Sequence, residues 1–203
     1  MKDLFVTADL HLGHENIRRH TSRPFKDVAE MDEALIKNWN DIVPRGGTTI
    51  IVGDFAWKNH TKYLSRLNGK KILIVGNHDK MNQVALKQFT EVHQILCRTI
   101  GKKYVIFCHY PMLSWPSSNH GSWHIHGHCH GRLKEFDTIL RTDVGVDVWD
   151  FKPVAWDTIC KKMQAREVSR KAALQDKKIQ IDSGYEVAIN KSSNTSMVNN
   201  GNT

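Results

Sequence analysis

Five short, β-rich apolar runs in this chain each end in residues that can bind a metal ion or move a proton. Leu4–Ala8 leads into Asp9-Leu10-His11, Thr49–Val52 into Gly53-Asp54, and Ile72–Val75 into Gly76-Asn77-His78-Asp79. Tyr104–Cys108 leads into His109, and Trp123–His126 into Gly127-His128-Cys129-His130. Carboxylate oxygen, imidazole nitrogen and neutral amide oxygen together suit borderline divalent ions such as Mn, Fe, Zn, Ni or Co. Asp9-x-His11 and His128-x-His130 each put two donors on one side of an extended segment, because strand side chains alternate with period two. Glycine at 53, 76 and 127 lets the backbone bend sharply and approach an ion. Asp9, His11, Asp54, Asn77, His109, His128 and His130 make more donors than one such ion takes up. Two ions sharing a bridging carboxylate would use them all.

Two cations about 3.5–4 Å apart are suited to phosphoryl chemistry, since each can polarise a phosphoryl oxygen and a zinc-like centre lowers the pKa of its water to about 7. The leaving oxygen then needs a proton, for which an imidazole is well matched near neutral pH. The bland reading of the histidine cluster is an adventitious His-rich tract over 120–130. It leaves Asp9, Asp54 and Asn77 unexplained. His124 and His126 precede the bend at Gly127 and read as packing residues or as supports behind the ligands, and His20, His60 and His93 as ordinary histidines. His14, three positions after His11, reads equally as a substrate contact or a structural residue. Trp115 and His120 lie in the loop between two ligand-bearing strands, and loops on a rigid frame commonly carry specificity, so substrate contact is expected there. Alternation turns Cys129 away. Arg18, Arg19 and Arg23 read as a solvated face before they read as a phosphate-attracting rim.

The elements that must position these residues alternate in type. Between the first strand candidates lie helical patterns at Met31–Trp39, His60–Leu67 and Met81–Phe89, with apolar residues spaced three and four apart. Strand-helix-strand order argues for an α/β fold with parallel pairing in the first half. Further strand candidates, His93–Cys97 and Val144–Val148, come with fewer helical gaps, so the second half is expected to hold hairpins and a mixed sheet. An open α/β sheet places its ligand at the carboxyl ends of its strands, which is where these donors fall.

The chain has 203 residues, 40% hydrophobic and 25% charged, with a net charge of +8. Those proportions exclude collagen and global disorder, and no apolar run nears the length of a membrane span. Four cysteines without a CxxC pair, and a charged residue too early for a secretory signal, read as a reduced, cytoplasmic protein. Residues 156–182 read as a basic helical extension to a catalytic domain over 1–155, and 183–203 as a disordered polar tail. The basic helix is a solvated face or an element that steers anionic polymers by a salt-sensitive attraction; no nucleic-acid-binding motif accompanies it.

In order, the blocks Asp-x-His, Gly-Asp, Gly-Asn-His-Asp, His and Gly-His-x-His resemble the calcineurin-like binuclear metallophosphoesterases over residues 4–148. Gly13-His14-Glu15-Asn16-Ile17, Arg23-Pro24-Phe25, Asn38-Trp39-Asn40, His109-Tyr110-Pro111-Met112 and His120-Gly121-Ser122-Trp123-His124 look like the small bacterial and phage branch. The chain departs from the frequent Gly-Asp-x-x-Asp pattern at Trp57. The resemblance implies an α/β four-layer αββα sandwich with two mixed β-sheets and two divalent metal ions, manganese first among the candidates. It implies that Asp9, His11 and His130 hold one ion, that Asn77, His109 and His128 hold the other, and that Asp54 bridges them. It further implies that His78 acts as proton donor or charge stabiliser, oriented by Asp79. The activity expected is hydrolysis of a phosphodiester on a nucleotide or nucleic-acid-derived substrate. The alternatives are a phosphomonoesterase for a nucleotide, phosphoprotein or metabolite, and a binding scaffold without catalysis; the scaffold reading predicts lost ligands.

Overall fold

Alternation along the first strands sorts their apolar side chains onto two faces. A computed structural model of the chain describes residues 3–194, with side chains through Asp176. In β1 (Leu4–Thr7), β2 (Thr48–Val52) and β3 (Lys70–Ile74), Leu4, Val6, Ile50, Val52, Ile72 and Ile74 join one core, and Phe5, Ile51 and Leu73 join another. The strands are parallel and in register, with Val6 beside Ile50 and Ile50 beside Ile72. A sheet buried on both faces needs apolar residues at successive positions, which is why these segments read as continuous runs.

β4 (Glu91–His93) extends this sheet in parallel, and β9 (Val154–Ala155) closes its other edge antiparallel to β1, giving the order β4-β3-β2-β1-β9. A second sheet has the order β5-β6-β7-β8. Its β5 (Ile95–Ile100) and β6 (Lys103–Cys108) form a hairpin, and β7 (Trp123–His126) and β8 (Arg141–Asp143) run parallel to β6. Both sheets are mixed. The core between them is filled by the first faces of β1–β3, by Val105, Phe107, Trp123 and Ile125, and by Val144. At roughly 1.5–3 kcal/mol per buried large apolar side chain, this layer fixes how the two carboxyl-end edges meet.

The outer face of the first sheet is covered by helices α1 (Glu15–His20), α2 (Val28–Ile42), α3 (His60–Leu64) and α4 (Gln83–Leu86). The start of α2 is written in its cap: Asp27 accepts the Glu30 N–H at 2.8 Å, and Glu30 returns a carboxylate oxygen to the Lys26 N–H at 2.7 Å. Met31, Leu35 and Trp39 then face inward at helical spacing. The two-sheet, helix-flanked α/β architecture is the one the resemblance implies.

Four local expectations differ from the structure. His93–Cys97 is not one strand: the chain leaves the first sheet after His93 and enters the second at Ile95. Val144–Val148 is not a strand either. The ladder ends at Asp143, and Val146–Val148 forms a short 3-10 turn because the Gly145 and Val146 amides are bound to Asp143 and to Ala8. The basic extension begins inside the core. In α5 (Trp156–Asn194), Trp156, Ile159 and Met163 are buried between the sheets, and Arg166 is buried against the Arg141 carbonyl. The expected disordered tail over 183–203 is helical in its first part, since α5 runs on to Asn194, and residues 195–203 lie outside the described residues. No helix among the described residues is long and apolar enough to cross a membrane.

Candidate metal centre

Asp9, His11, Asp54, His128 and His130 share a backbone feature: each follows the end of a strand with a positive φ, between 49° and 70°. A residue other than glycine in that region costs on the order of 1–3 kcal/mol and persists where its surroundings over-determine it. Here it turns five side chains back toward one point. The two loops from the first sheet are also tied together, as Asp9 N–H donates to Gly53 O at 3.0 Å and His11 N–H to Asp54 O at 2.9 Å.

Close approach needs glycine at several positions around the centre, most tightly at Gly53 and Gly76. A Cβ on Gly53 would lie 2.2 Å from His109 Nδ1, and one on Gly76 would lie 2.3 Å from Asp54 Oδ1. Gly53 also takes a φ of +89°. Gly76 does not have a positive φ; it supplies room rather than a bend.

At the centre, Asp54 Oδ2 stands 3.4 Å from both His11 Nε2 and His109 Nε2. One oxygen atom thus sits between two groups of donors. Asp9, His11 and His130 bring ligand atoms within 4.8 Å of one another, as do Asp9, Asp54 and His109. Asn77 Oδ1 approaches His109 Nε2 to 3.1 Å, and the His128 ring lies 5.1 Å from the His109 ring. The structure brings all seven expected ligands together. Asp9 borders both groups, closer to the second than the implied allocation places it.

The far side of each ring is fixed by the protein. His109 Nδ1 lies 2.9 Å from the Val52 carbonyl, so it carries the proton there and leaves Nε2 as the free donor. His130 Nδ1 lies 2.7 Å from Asp147 Oδ2, with the same consequence for its Nε2. Asp147 is in turn held by Arg23 through two parallel bonds of 2.8 Å, and the same guanidinium donates to the carbonyls of Asp9 and Leu10. Arg23 is buried, not part of a solvated face or a rim. Its charge clamps the first ligand loop from behind.

The residues present fit cations at this point. His11 Nε2 is buried and has no hydrogen-bond partner, an arrangement that costs about 1–3 kcal/mol unless something accepts its lone pair. Burial pulls the His11 imidazole down to about 2, which keeps it neutral, with its lone pair available to a cation. Burial pushes the Asp9 carboxyl up to about 7, against the attraction of His130 and His109. For Asp54 burial acts upward, but contact with His109 and the charges of His109 and His11 prevail and hold it at about 2. A buried cluster of oxygens and imidazole nitrogens with one orphaned donor atom is the environment a divalent ion satisfies.

The remaining predicted site residues fall in three places. Asp79 lies behind the centre, where its carboxylate accepts the N–H groups of Asp54 (2.9 Å), Phe55 (2.8 Å) and Gly76 (2.8 Å). Its hydrogen bonds therefore go to the ligand loops rather than to the His78 ring. The His78 amide donates to Asp54 Oδ1 at 2.9 Å, and its half-buried ring lies 5.2 Å from the His11 ring. His14 joins the cluster, with Nδ1 3.3 Å from His11 Nδ1.

Trp115 and His120 do not join it. Trp115 is packed in the core against His124, and its indole N–H donates to the Ser122 carbonyl. His120 is exposed beside Lys103 and Ser122, at the amino ends of β6 and β7, whereas the ligands follow their carboxyl ends. His124 and His126 are buried, as packing residues should be. Sequence reasoning passed over Asp147, whose only trace was an acid inside an apolar run. It also passed over Asp32, which accepts the Gly13 N–H at 2.9 Å and the Tyr63 hydroxyl at 2.7 Å and so fixes the loop carrying His14.

A two-sheet α/β frame with candidate metal donors from five strand ends around one central carboxylate points to a class, and comparison with known proteins agrees. The family model for calcineurin-like phosphoesterases matches residues 3–177. The chain belongs to that family, whose chemistry is metal-dependent hydrolysis of phosphate esters. It is 34% identical over 180 residues to the uncharacterised protein MJ1445 of Methanocaldococcus jannaschii, covering 84% of this chain and 96% of that protein. It is 29% identical to the gene 66 protein of mycobacterium phage L5, covering 73% and 88% respectively. Among solved structures, the protein of unknown function AQ665 from Aquifex aeolicus superimposes with a TM-score of 0.62 at 25% identity, covering 78% of this chain and 97% of that one.

Proposed function

We propose that this phosphoesterase is a binuclear phosphodiesterase acting on nucleotide or nucleic-acid-derived substrates. The observation that carries the binuclear reading is the position of Asp54 Oδ2, 3.4 Å from an imidazole nitrogen on either side. Asp9, His11 and His130 would hold one divalent ion, Asn77, His109 and His128 the other, and Asp54 would bridge them. When bound, the two ions supply Lewis-acid polarisation of the phosphoryl oxygens and a water acidic enough to attack near neutral pH.

The chain's own residues do the rest. Val52 O and Asp147 hold His109 and His130 in the tautomer that points Nε2 inward. Asp79 binds the two loops that carry Asp54 and Asn77 to each other, so the bridge and one terminal ligand keep a fixed separation. His78 Nδ1 or Nε2 carries the proton for the leaving oxygen, from a ring set at the edge of the cluster beside His11 and His14. Asn77 and His128 are exposed, so the site opens to solvent on their side and leaves room for both substituents of a diester. A net charge of +8 favours polyanionic substrates. Four free cysteines support a cytoplasmic setting. Manganese suits the mixed carboxylate, amide and imidazole donor set.

The test is parallel hydrolysis of bis(p-nitrophenyl) phosphate and p-nitrophenyl phosphate with Mn, Zn, Ni or no metal, followed by linear and cyclic nucleotides. Faster diester cleavage that requires added metal supports the proposal. Cleavage of the monoester alone transfers the chain to the phosphomonoesterases.

A further inference from the structure

The chain holds six tryptophans, and five of them are buried or partly buried; Trp57 alone is exposed, at 44%. It is also the one that stands beside the metal centre. Its amide donates to the Leu12 carbonyl at 2.9 Å, which fixes it against the loop that carries His14. Its indole is stacked on the His14 ring, 4.4 Å between centroids and 8° from parallel, and lies 5.5 Å from the His78 ring. His14 in turn contacts the ligand His11. Burial of an indole contributes heavily to stability, so leaving this one in water, rigidly oriented, has no advantage for the fold.

We infer that Trp57 is a stacking platform for a planar aromatic group carried by the substrate, a nucleobase one ester away from the phosphorus. This rests on the proposed phosphodiesterase reading and deepens it. One face of the indole is covered by His14, which sets its plane; the exposed remainder of the ring is available to a base. The rings of His14 and Trp57 continue without a break from His11 and His78, so a phosphate at the metals places its substituent along them. Stacking of this kind tolerates any base, because each has a π-face. Selectivity would therefore be for base-bearing over base-free esters, not for sequence.

The experiment uses the full chain loaded with Mn and isothermal titration calorimetry, with phosphonate ligands whose C–P bond is not cleaved. The probes are the phosphonate analogue of thymidine 5′-phosphate and its counterpart lacking the base. Wild type should bind the first about tenfold more tightly, the factor corresponding to ~1.4 kcal/mol and within the contribution of one base–aromatic stack. The ratio should fall to near one in Trp57→Ala and return in Trp57→Phe. An unchanged ratio in Trp57→Ala, or a wild-type ratio near one, overturns the inference. Equal weakening of both ligands does so too, because it makes Trp57 only a support for His14. Phenylphosphonate binding as tightly as the thymidine compound would assign the platform to an aryl group and overturn the nucleobase assignment. Cleavage of thymidylyl-thymidine tests the phosphodiesterase reading separately, and base-dependent binding without cleavage would count against that reading while supporting the platform.

Discussion

Asp147 places Oδ2 2.7 Å from His130 Nδ1, on the side of the ring that faces away from the metal centre. Burial acts to keep the imidazole uncharged, but this hydrogen bond and the charges of Asp9 and Asp147 raise His130 above its ordinary range. A carboxylate behind a ligating histidine fixes its tautomer and strengthens it as a donor. Asp147→Asn should therefore weaken metal binding by about 10- to 100-fold, measured by calorimetric titration with Mn or Zn. Affinity equal to wild type would show that His130 does not ligate, or needs no orientation.

The same carboxylate neutralises Arg23, whose guanidinium is buried and bound to the carbonyls of Asp9 and Leu10. Removing one partner of a buried pair typically costs about 3–5 kcal/mol. Asp147→Ala and Asp147→Asn should each lower stability by that order in urea unfolding, since both leave the guanidinium without its counter-charge. Stability equal to wild type in both variants would mean that solvent reaches Arg23.

Room at Gly76 is a steric requirement. A methyl group there would lie 2.3 Å from Asp54 Oδ1 and 2.5 Å from the Asp54 nitrogen. Gly76→Ala must push the Asp54 carboxylate aside, and a displacement near 1 Å can cost a reaction about 100-fold. The prediction is a fall in kcat of at least about that size, read with bis(p-nitrophenyl) phosphate. Near-normal turnover would show that the carboxylate is not held where this geometry puts it.

Glu135 ties the second sheet to α5, accepting from Lys162, the Asp143 amide and Arg166. Burial raises its carboxyl, but those partners prevail and hold it at about 2, against an ordinary 4.5. A carboxyl depressed in the folded state stabilises the fold above its unfolded pKa, and that contribution is lost as pH falls through the folded value. Wild type should lose stability between about pH 4.5 and 2, and Glu135→Gln should show a shallower decline over the same interval. Parallel pH profiles of melting temperature would contradict the assignment.

How far the sequence led depended on whether a residue acts next to its own strand or across the fold. Asp9, His11, Asp54, Asn77, His109, His128 and His130 were legible as candidate donors because each lies within four residues of a strand's carboxyl end, and the packing of the two sheets brings those ends together. Asp147 and Arg23 were not, since 124 positions separate them in the chain and only the packed sheets bring them together. His120 misled for a topological reason. β6 and β7 are parallel, so the chain that leaves at His109 must return to the opposite edge before Trp123. A residue three positions ahead of that strand is therefore at the wrong end, however close it stands to ligands in sequence. Trp115 lies midway on that return and is consumed by the core. The break at Gln94 was hidden because a single residue separates the two strands that flank it.

The central claim is that Asp54 joins two cations. Metal analysis of the chain after saturation with Mn and removal of free ion decides it. Wild type should hold two ions per chain, and Asp54→Asn should lose the second together with hydrolysis, with the fold retained by circular dichroism. Saturation at one ion in wild type, or two ions and full activity in Asp54→Asn, would contradict it.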